Sequence, residues 1–252
     1  MNESLDRLIR VVRAPSKEDP FLVIEKPSGL PSAPLFEGQD SALTQAVKIF
    51  PQLAAVRGKK AVERGLLHRI DTLSQGFLLI AATQQSYEAL SLAQSRGEFS
   101  KGYKARCRFL PKDERGALLG FPPPPADITL EAVLANTVSL RVCSRFRHWG
   151  AKGSQVRPVT EHSGKAALKK SSPVVYETLI SLSEKADEIL ADCSITKGFK
   201  HQVRCHLAWL GFPVLADELY CPNAAVGEAL SFCASSLSFP HPVTGQQVLI
   251  TL

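Results

Sequence analysis

The sequence predicts an α+β fold, and three observations carry that expectation. Short apolar or alternating runs of strand character recur along the chain, helical patterns are few, and the two do not follow a regular strand–helix–strand rhythm. A chain of 252 residues can bury a substantial core, as one domain or as two fused halves. No internal repeat period stands out.

Each element has its own local reason. Residues 21–24 (Phe-Leu-Val-Ile) read as a strand that Lys26-Pro27-Ser28-Gly29 stops with turn chemistry. Residues 77–82 form a second apolar run, the length of a buried strand. Thr83 caps a helix that carries Tyr87, Leu90 and Leu92 and ends near Gly97. Tyr103, Ala105, Cys107 and Phe109 then alternate with Lys104, Arg106 and Arg108, the mark of a half-buried strand with its basic side outward. Residues 112–125 are charged and then proline-rich, too poor in backbone donors for a sheet or helix interior, and read as a surface linker between two halves. Strands are expected over 128–142 and 173–180. Residues 141–170, rich in Arg and Lys and punctuated by Gly150, Gly153 and Gly164, read as a basic loop. Residues 189–191 and 194–195 are strand material, and 201–210 a helix with Val203, Leu207 and Leu210 on its buried stripe and Arg204 beside it.

Composition narrows the function classes. Lys plus Arg total 30 against 24 Asp plus Glu, for a net charge of +6 and a pI near 9.0, which suits a polyanionic partner. The six cysteines form no CxxC pair, so zinc-ribbon and thioredoxin-like sites are not expected, and reduced, mostly buried thiols are. The start of the chain, Met1-Asn2-Glu3-Ser4-Leu5-Asp6-Arg7, is charged where a signal peptide needs an apolar segment, and no apolar run approaches the ~20 residues of a membrane span. The expectation is a soluble cytoplasmic protein.

One acidic side chain stands apart. Asp71 lies in Leu67-His68-Arg69-Ile70-Asp71-Thr72-Leu73-Ser74-Gln75-Gly76, between apolar segments on either side, so a loop anchored by core elements should present it. On spacing alone, an aspartate that caps a turn is an equal reading. The segment resembles the catalytic motif of the RluA family of RNA pseudouridine synthases, His-Arg-Leu-Asp, two residues, then Ser-Gly-Leu-Leu, with Ile70 in place of Leu and Gln75 ahead of Gly76. Further segments resemble the family in the same order: Glu25-Lys26-Pro27-Ser28-Gly29-Leu30, Lys101-Gly102-Tyr103-Lys104-Ala105, Gly198-Phe199-Lys200-His201-Gln202-Val203-Arg204-Cys205-His206-Leu207 running on to Asp217, and Leu237-Ser238-Phe239-Pro240-His241-Pro242. The chain departs from the pattern at Phe199 and Lys200, and at Cys233, where the family has a histidine.

The resemblance implies the pseudouridine synthase catalytic fold: a central mixed, largely antiparallel sheet in two halves, with flanking helices and a cleft between the halves. It implies one catalytic domain over 1–252, with sub-halves joined near 111–127, and no room before Phe21 for an S4-type RNA-binding module. The implied activity is isomerisation of uridines to pseudouridine in rRNA or tRNA by a monomer, without a cofactor, a metal, a membrane or an obligatory protein partner. By the same resemblance Asp71 is the catalytic carboxylate, Arg204 its ion-pair partner, and Tyr103 the ring that stacks on the flipped uracil. Arg69 fills the gap left by the flipped base, and His68, Lys26, His201 and Lys200 lie among the RNA-contacting residues, Lys26 either bracing the active loop or touching phosphate.

The chemistry fits a single carboxylate. It can attack C1′ to give a sugar ester or remove the C2′ proton to give a glycal, and both routes stay open. Hydrolytic glycosidases usually pair two carboxylates, and no motif places a second one near Asp71. Bland readings stand beside these roles: a helix-surface arginine at 204, a core tyrosine at 103, a salt-bridged Arg69, a turn lysine at 26. With no S4 module, RNA contacts are expected from Arg145, Arg147, Lys152 and Arg157 of the basic segment, for which a solvated loop is the alternative. The competing functions are a non-catalytic RNA-binding relative and a nucleoside or base hydrolase.

Overall fold

The computed structural model describes residues 7–36, 38–222, 224 and 227–252; the charged stretch 1–6 lies outside them. They fall into two compact units, Met1–Lys101 with Cys233–Leu252, and Gly102–Phe232. The chain passes from one to the other within one strand and returns at the first residue of another. The segment 111–127, expected to join two halves, therefore lies wholly inside the second unit.

The first unit is built from β1 (Arg10–Arg13), β2 (Phe21–Lys26), α1 (Ala42–Ile49), β3 (Gln75–Ala81), α2 (Gln84–Arg96), and, after the second unit, β9 (Phe232–Pro240) and β10 (Gln247–Thr251). The sheet order is β1-β2-β3-β9-β10. All pairs are antiparallel except β3 with β9, where Gln75 faces Cys233 and Gly76 faces Ala234. Gly76 is required there: a Cβ would lie 2.2 Å from the Ala234 carbonyl oxygen, and its φ is +115°. Helix α2 starts and stops where the sequence indicates, with a capping box at Thr83 and Gly97 in the left-handed conformation behind it. The core joins Phe21, Val23, Phe77, Leu79, Leu90, Phe99 and neighbours from β9.

The second unit holds β4 (Ser100–Cys107), α3 (Leu130–Ala135), β5 (Val138–Trp149), β6 (Gln155–Val159), α4 (Lys165–Lys169), β7 (Tyr176–Lys185), β8 (Glu188–Ile195) and α5 (Gln202–Leu210), in sheet order β4-β8-β7-β5-β6. The pairs β5–β6, β5–β7 and β7–β8 are antiparallel. In β4 Tyr103, Ala105 and Cys107 are buried and Lys104 and Arg106 exposed, as the alternation requires, although the strand ends before Phe109.

Three local expectations are corrected. The strand expected over 128–142 is interrupted: Thr129 accepts from the Ala132 N–H and starts α3, because Leu-Glu-Ala-Val-Leu-Ala is built of good helix formers, and β5 begins only at Val138. The basic loop of 141–170 is mostly a hairpin of β5 and β6. The arginines of β5 are the outward residues of an alternating strand, with Val142, Ser144 and Phe146 facing inward, and the glycines make the turn, where Gly150, Lys152 and Gly153 take positive φ. Helix α5 is buried around its whole circumference rather than along one stripe. Cys205 and Ala208 pack against Phe146 and Val156, while on another side the Trp209 indole donates to the carbonyls of Pro122 and Pro123 at 2.9 and 3.0 Å. The proline-rich segment is thus a cover for α5. His206, inside this helix, is held by the hydroxyls of Ser144 (2.9 Å) and Thr178 (2.8 Å), and burial lowers its pKa to about 3, so it is a neutral core residue. Among the described residues no helix is long and apolar enough to cross a membrane, and all six cysteines are free.

Candidate active site

In the first unit the loop between Leu67 and Ser74 carries Asp71, and its backbone is pinned from beneath at Ile70, Thr72 and Leu73. The Ile70 N–H donates to the Ser32 hydroxyl (3.1 Å), which donates back to the Ile70 carbonyl (2.7 Å). The Thr72 carbonyl accepts from the Gly29 N–H (2.8 Å) and from the Lys26 ammonium (3.1 Å), and the Leu73 carbonyl from the Ser28 hydroxyl (2.7 Å). The loop closes on itself where the Ser74 N–H donates to the Asp71 carbonyl at 3.0 Å. Leu67 N–H bonds the Leu79 carbonyl of β3, so the loop is sprung between a core strand and the 26–32 turn. Asp71 itself is half-buried, on a backbone with little freedom left.

Lys26 is the centre of this brace, with its ammonium turned inward. It is fully buried, and its three ammonium donors are all used, on Pro27 (2.9 Å), Leu30 (2.7 Å) and Thr72. Burial lowers its pKa to about 8, while the Asp71 charge works in the opposite direction. Of loop brace, phosphate contact and solvated turn lysine, the geometry realises the brace, because three carbonyls converge on the buried ammonium where a phosphate would need open space.

His68 is likewise an interior group. Its ring meets Phe99 edge-on at 5.5 Å, its Nε2 accepts from the Leu79 N–H at 3.4 Å, and burial, helped by the nearby Lys101 charge, lowers its pKa to about 3. It offers RNA no positive charge. Arg69 points the other way: its side chain is 56% exposed, with one ion pair to Glu63 at 3.3 Å, a surface contact worth little in stability and easily given up to a ligand. A cavity of about 240 Å³ opens beside His68 and Arg69 and is also lined by Lys59, Glu63, Tyr87 and Gln94.

In the second unit, Tyr103 is nearly buried on β4, with its ring stacked on Phe232 at 5.2 Å and 6° between planes. Arg204 sits in the first turn of α5, 4% exposed, and the Asp217 carboxylate grips it at two points. Both residues lie in the motif that runs from Gly198 to Asp217, and nothing in its spacing discloses the pair. His201 stands in the left-handed conformation at the helix start, φ 53°, with its Nδ1 3.1 Å from the Tyr220 hydroxyl. Lys200 is exposed and donates to the Gly153 carbonyl at 2.8 Å, tying the helix start to the tip of the β5–β6 hairpin.

The basic segment divides sharply. Arg145 and Lys152 are exposed, and Arg147 is half-buried with its guanidinium 4.4 Å above the Trp149 ring. Arg157 is a correction. It is 5% exposed, donates to the carbonyls of Leu119 (2.6 Å) and Val156 (2.9 Å), and lies over Phe121, so it is a core group of this unit. Its inward direction follows from β6, which is buried on both faces from Val156 to Val159.

Residues 20–209 match the family model described as RNA pseudouridylate synthase. Similar proteins include the tRNA pseudouridine(31) synthase of Saccharomyces cerevisiae, 27% identical over 208 residues, which cover 82% of this chain and 46% of that one, so the chain spans about half of that relative's length. The ribosomal large subunit pseudouridine synthase D of Zymomonas mobilis is 25% identical across 98% of this chain and 69% of its own. The dual-specificity RNA pseudouridine synthase RluA of Escherichia coli K12 is 27% identical across 92% of this chain and 88% of its own. Among solved structures, the human RNA pseudouridylate synthase domain containing 1 superposes with a TM-score of 0.64 at 15% identity, over 100% of this chain and 86% of that chain, a likeness of fold. Fold and family match together define an RNA-modifying isomerase, a pseudouridine synthase. Within that class the chain belongs to the RluA family.

Proposed function

We propose that Asp71 is the carboxylate through which this enzyme turns uridine into pseudouridine, and that its substrate is a structured ribosomal or transfer RNA. The observation that carries the reading is the braced loop: a lone aspartate in the family motif, on a backbone fixed by Lys26, Ser28, Gly29 and Ser32. Such rigidity suits a group that must meet a sugar carbon in one geometry.

The reaction conserves composition. The bond from N1 to C1′ breaks with its electron pair left on the uracil, the base turns, and C5 bonds to C1′; the C5 proton then leaves and N1 gains one. Asp71 either attacks C1′ and is later displaced, or takes the C2′ proton and returns it. In this reading Tyr103 stacks on the uracil and helps remove the C5 proton, and Arg204 keeps the Asp71 carboxylate ionised and oriented. Arg69, exposed and weakly held, enters the space vacated by the flipped base, whose unstacking costs a few kcal/mol. The exposed Arg145, half-buried Arg147 and exposed Lys152 of the hairpin contact phosphates outside the reacting site, and the enzyme works as a cytoplasmic monomer. Incubation with RNA lacking pseudouridine tests the reading. Pseudouridine should accumulate with no free uracil; release of uracil would mean hydrolysis, and RNA binding with neither product would mean a non-catalytic relative.

A further inference from the structure

The residue that grips Arg204 lies beyond the stretch matched by the family model, which ends at residue 209. Asp217 is fully buried. Its Oδ2 accepts from Arg204 Nε and its Oδ1 from Nη2, each at 2.7 Å, and Oδ1 also accepts from the Leu219 N–H at 3.0 Å. The turn that carries it is closed by the Tyr220 and Cys221 N–H groups on the Asp217 carbonyl, at 3.2 and 2.8 Å, and follows Ala216 in the left-handed conformation, φ 58°. On the guanidinium's face the Tyr220 ring centre is 5.5 Å from Cζ, and the Tyr220 hydroxyl is itself fixed by the Val156 N–H at 2.9 Å.

A two-point grip on one edge of a guanidinium fixes its plane, and so the direction of the remaining Nη1 donors, in a way a single bond or a lysine could not. Stability alone is a weak reason for such a pair, since desolvating both charges consumes much of their attraction and apolar replacements often do as well. Orientation is what the fork supplies.

We propose that Asp217 is a positioning residue of the isomerisation: it holds the Arg204 guanidinium in the one plane from which Arg204 can serve the Asp71 carboxylate. The proposal rests on the role given to Arg204 above. Asp217 acts through Arg204 and touches neither the base nor the sugar.

Four proteins test it: the wild type, Arg204→Ala, Asp217→Asn and the double variant. Each is compared in single-turnover pseudouridine formation at saturating RNA, in RNA affinity, and in circular dichroism. Asp217→Asn keeps the shape and the Leu219 contact, so it should fold and bind RNA within about threefold of wild type while the rate falls on the order of 10²-fold, the usual cost of a misplaced group. In the Arg204→Ala background the same substitution should change the rate by less than about threefold, since residues that act as a unit are not additive. If Asp217→Asn does not fold, Asp217→Glu replaces it, keeping the charge but moving the carboxylate by one methylene, with the same expectations. A near wild-type rate for Arg204→Ala would overturn the role of Arg204 itself. A slow Arg204→Ala beside an Asp217 variant at wild-type rate would overturn this inference alone, as would equal losses from the Asp217 substitution in both backgrounds.

Discussion

Replacing Lys26 by methionine removes the ammonium that three carbonyls share and leaves a side chain of similar length in its place. The carbonyls of Pro27, Leu30 and Thr72 lose this donor, at roughly 1–3 kcal/mol for each acceptor left unsatisfied. Relief from burying a charge returns several kcal/mol. The two contributions largely offset each other, so the net loss should be no more than about 3 kcal/mol. The local effect should exceed the global one, because Thr72 adjoins Asp71 and would keep only the Gly29 N–H of its two donors. Urea unfolding and single-turnover pseudouridine formation at a temperature where the variant is folded measure the two effects separately. The pH dependence carries a definite sign. With its native pKa lowered from 10.5 to about 8, Lys26 releases its proton in the folded protein before the unfolded chain does, so between those values unfolding takes up a proton and this group's contribution to stability rises with pH. The wild-type advantage over Lys26→Met should therefore widen from pH 8 to 10.5. A variant with unchanged stability, unchanged rate and a parallel pH profile would refute the brace.

Substitutions at Tyr103, on the β5–β6 hairpin and at Arg157 probe the second unit. Tyr103→Phe should bind RNA nearly as the wild type does and slow the proton-removal step, whereas Tyr103→Ala, which also abandons the stack on Phe232, should lose binding and rate together; equal, mild effects in both would mark a structural tyrosine. Arg145→Ser, Arg147→Ser and Lys152→Ser combined should weaken RNA binding irrespective of sequence and lower the log–log salt slope by about one for each lost phosphate contact. An unchanged slope would mean the hairpin does not meet the backbone of the RNA. Arg157→Ser belongs to a different class, because it opens the core, and its effect should appear in the melting temperature rather than in the salt slope.

Much of the fold was legible where one local rule operates alone. Thr83 and Gly97 bound α2 by capping chemistry, and β4 is announced by strict alternation from Tyr103 to Cys107. The Asp71 loop was legible because apolar runs on both sides force the chain to turn between core elements. The rest depends on contacts remote in sequence. Nothing near Thr129 distinguishes a short capped helix from the start of a strand, since Leu, Val and Ala serve both. Glycines in the β5–β6 turn made the arginines of a strand resemble those of a loop. Arg157 is interior only because Phe121, Trp149 and Tyr220, from three separate segments, close over it. The Arg204–Asp217 pair likewise joins a helix to a turn 13 residues later, across a helix end, with no periodicity to disclose it. The two departures at Gln75 and Cys233 prove to be register partners in the parallel β3–β9 pair, a relation visible only once the strands are placed.

The role of Asp71 is tested most directly by Asp71→Asn, which keeps the size and hydrogen-bonding capacity of the side chain and removes the carboxylate. The loop backbone bonds do not use that carboxylate, so the fold should persist. Purified Asp71→Asn protein, incubated with a substrate RNA that the wild type modifies, should bind that RNA and form no pseudouridine. Conversion at a near wild-type rate would show that the reaction runs through some other group.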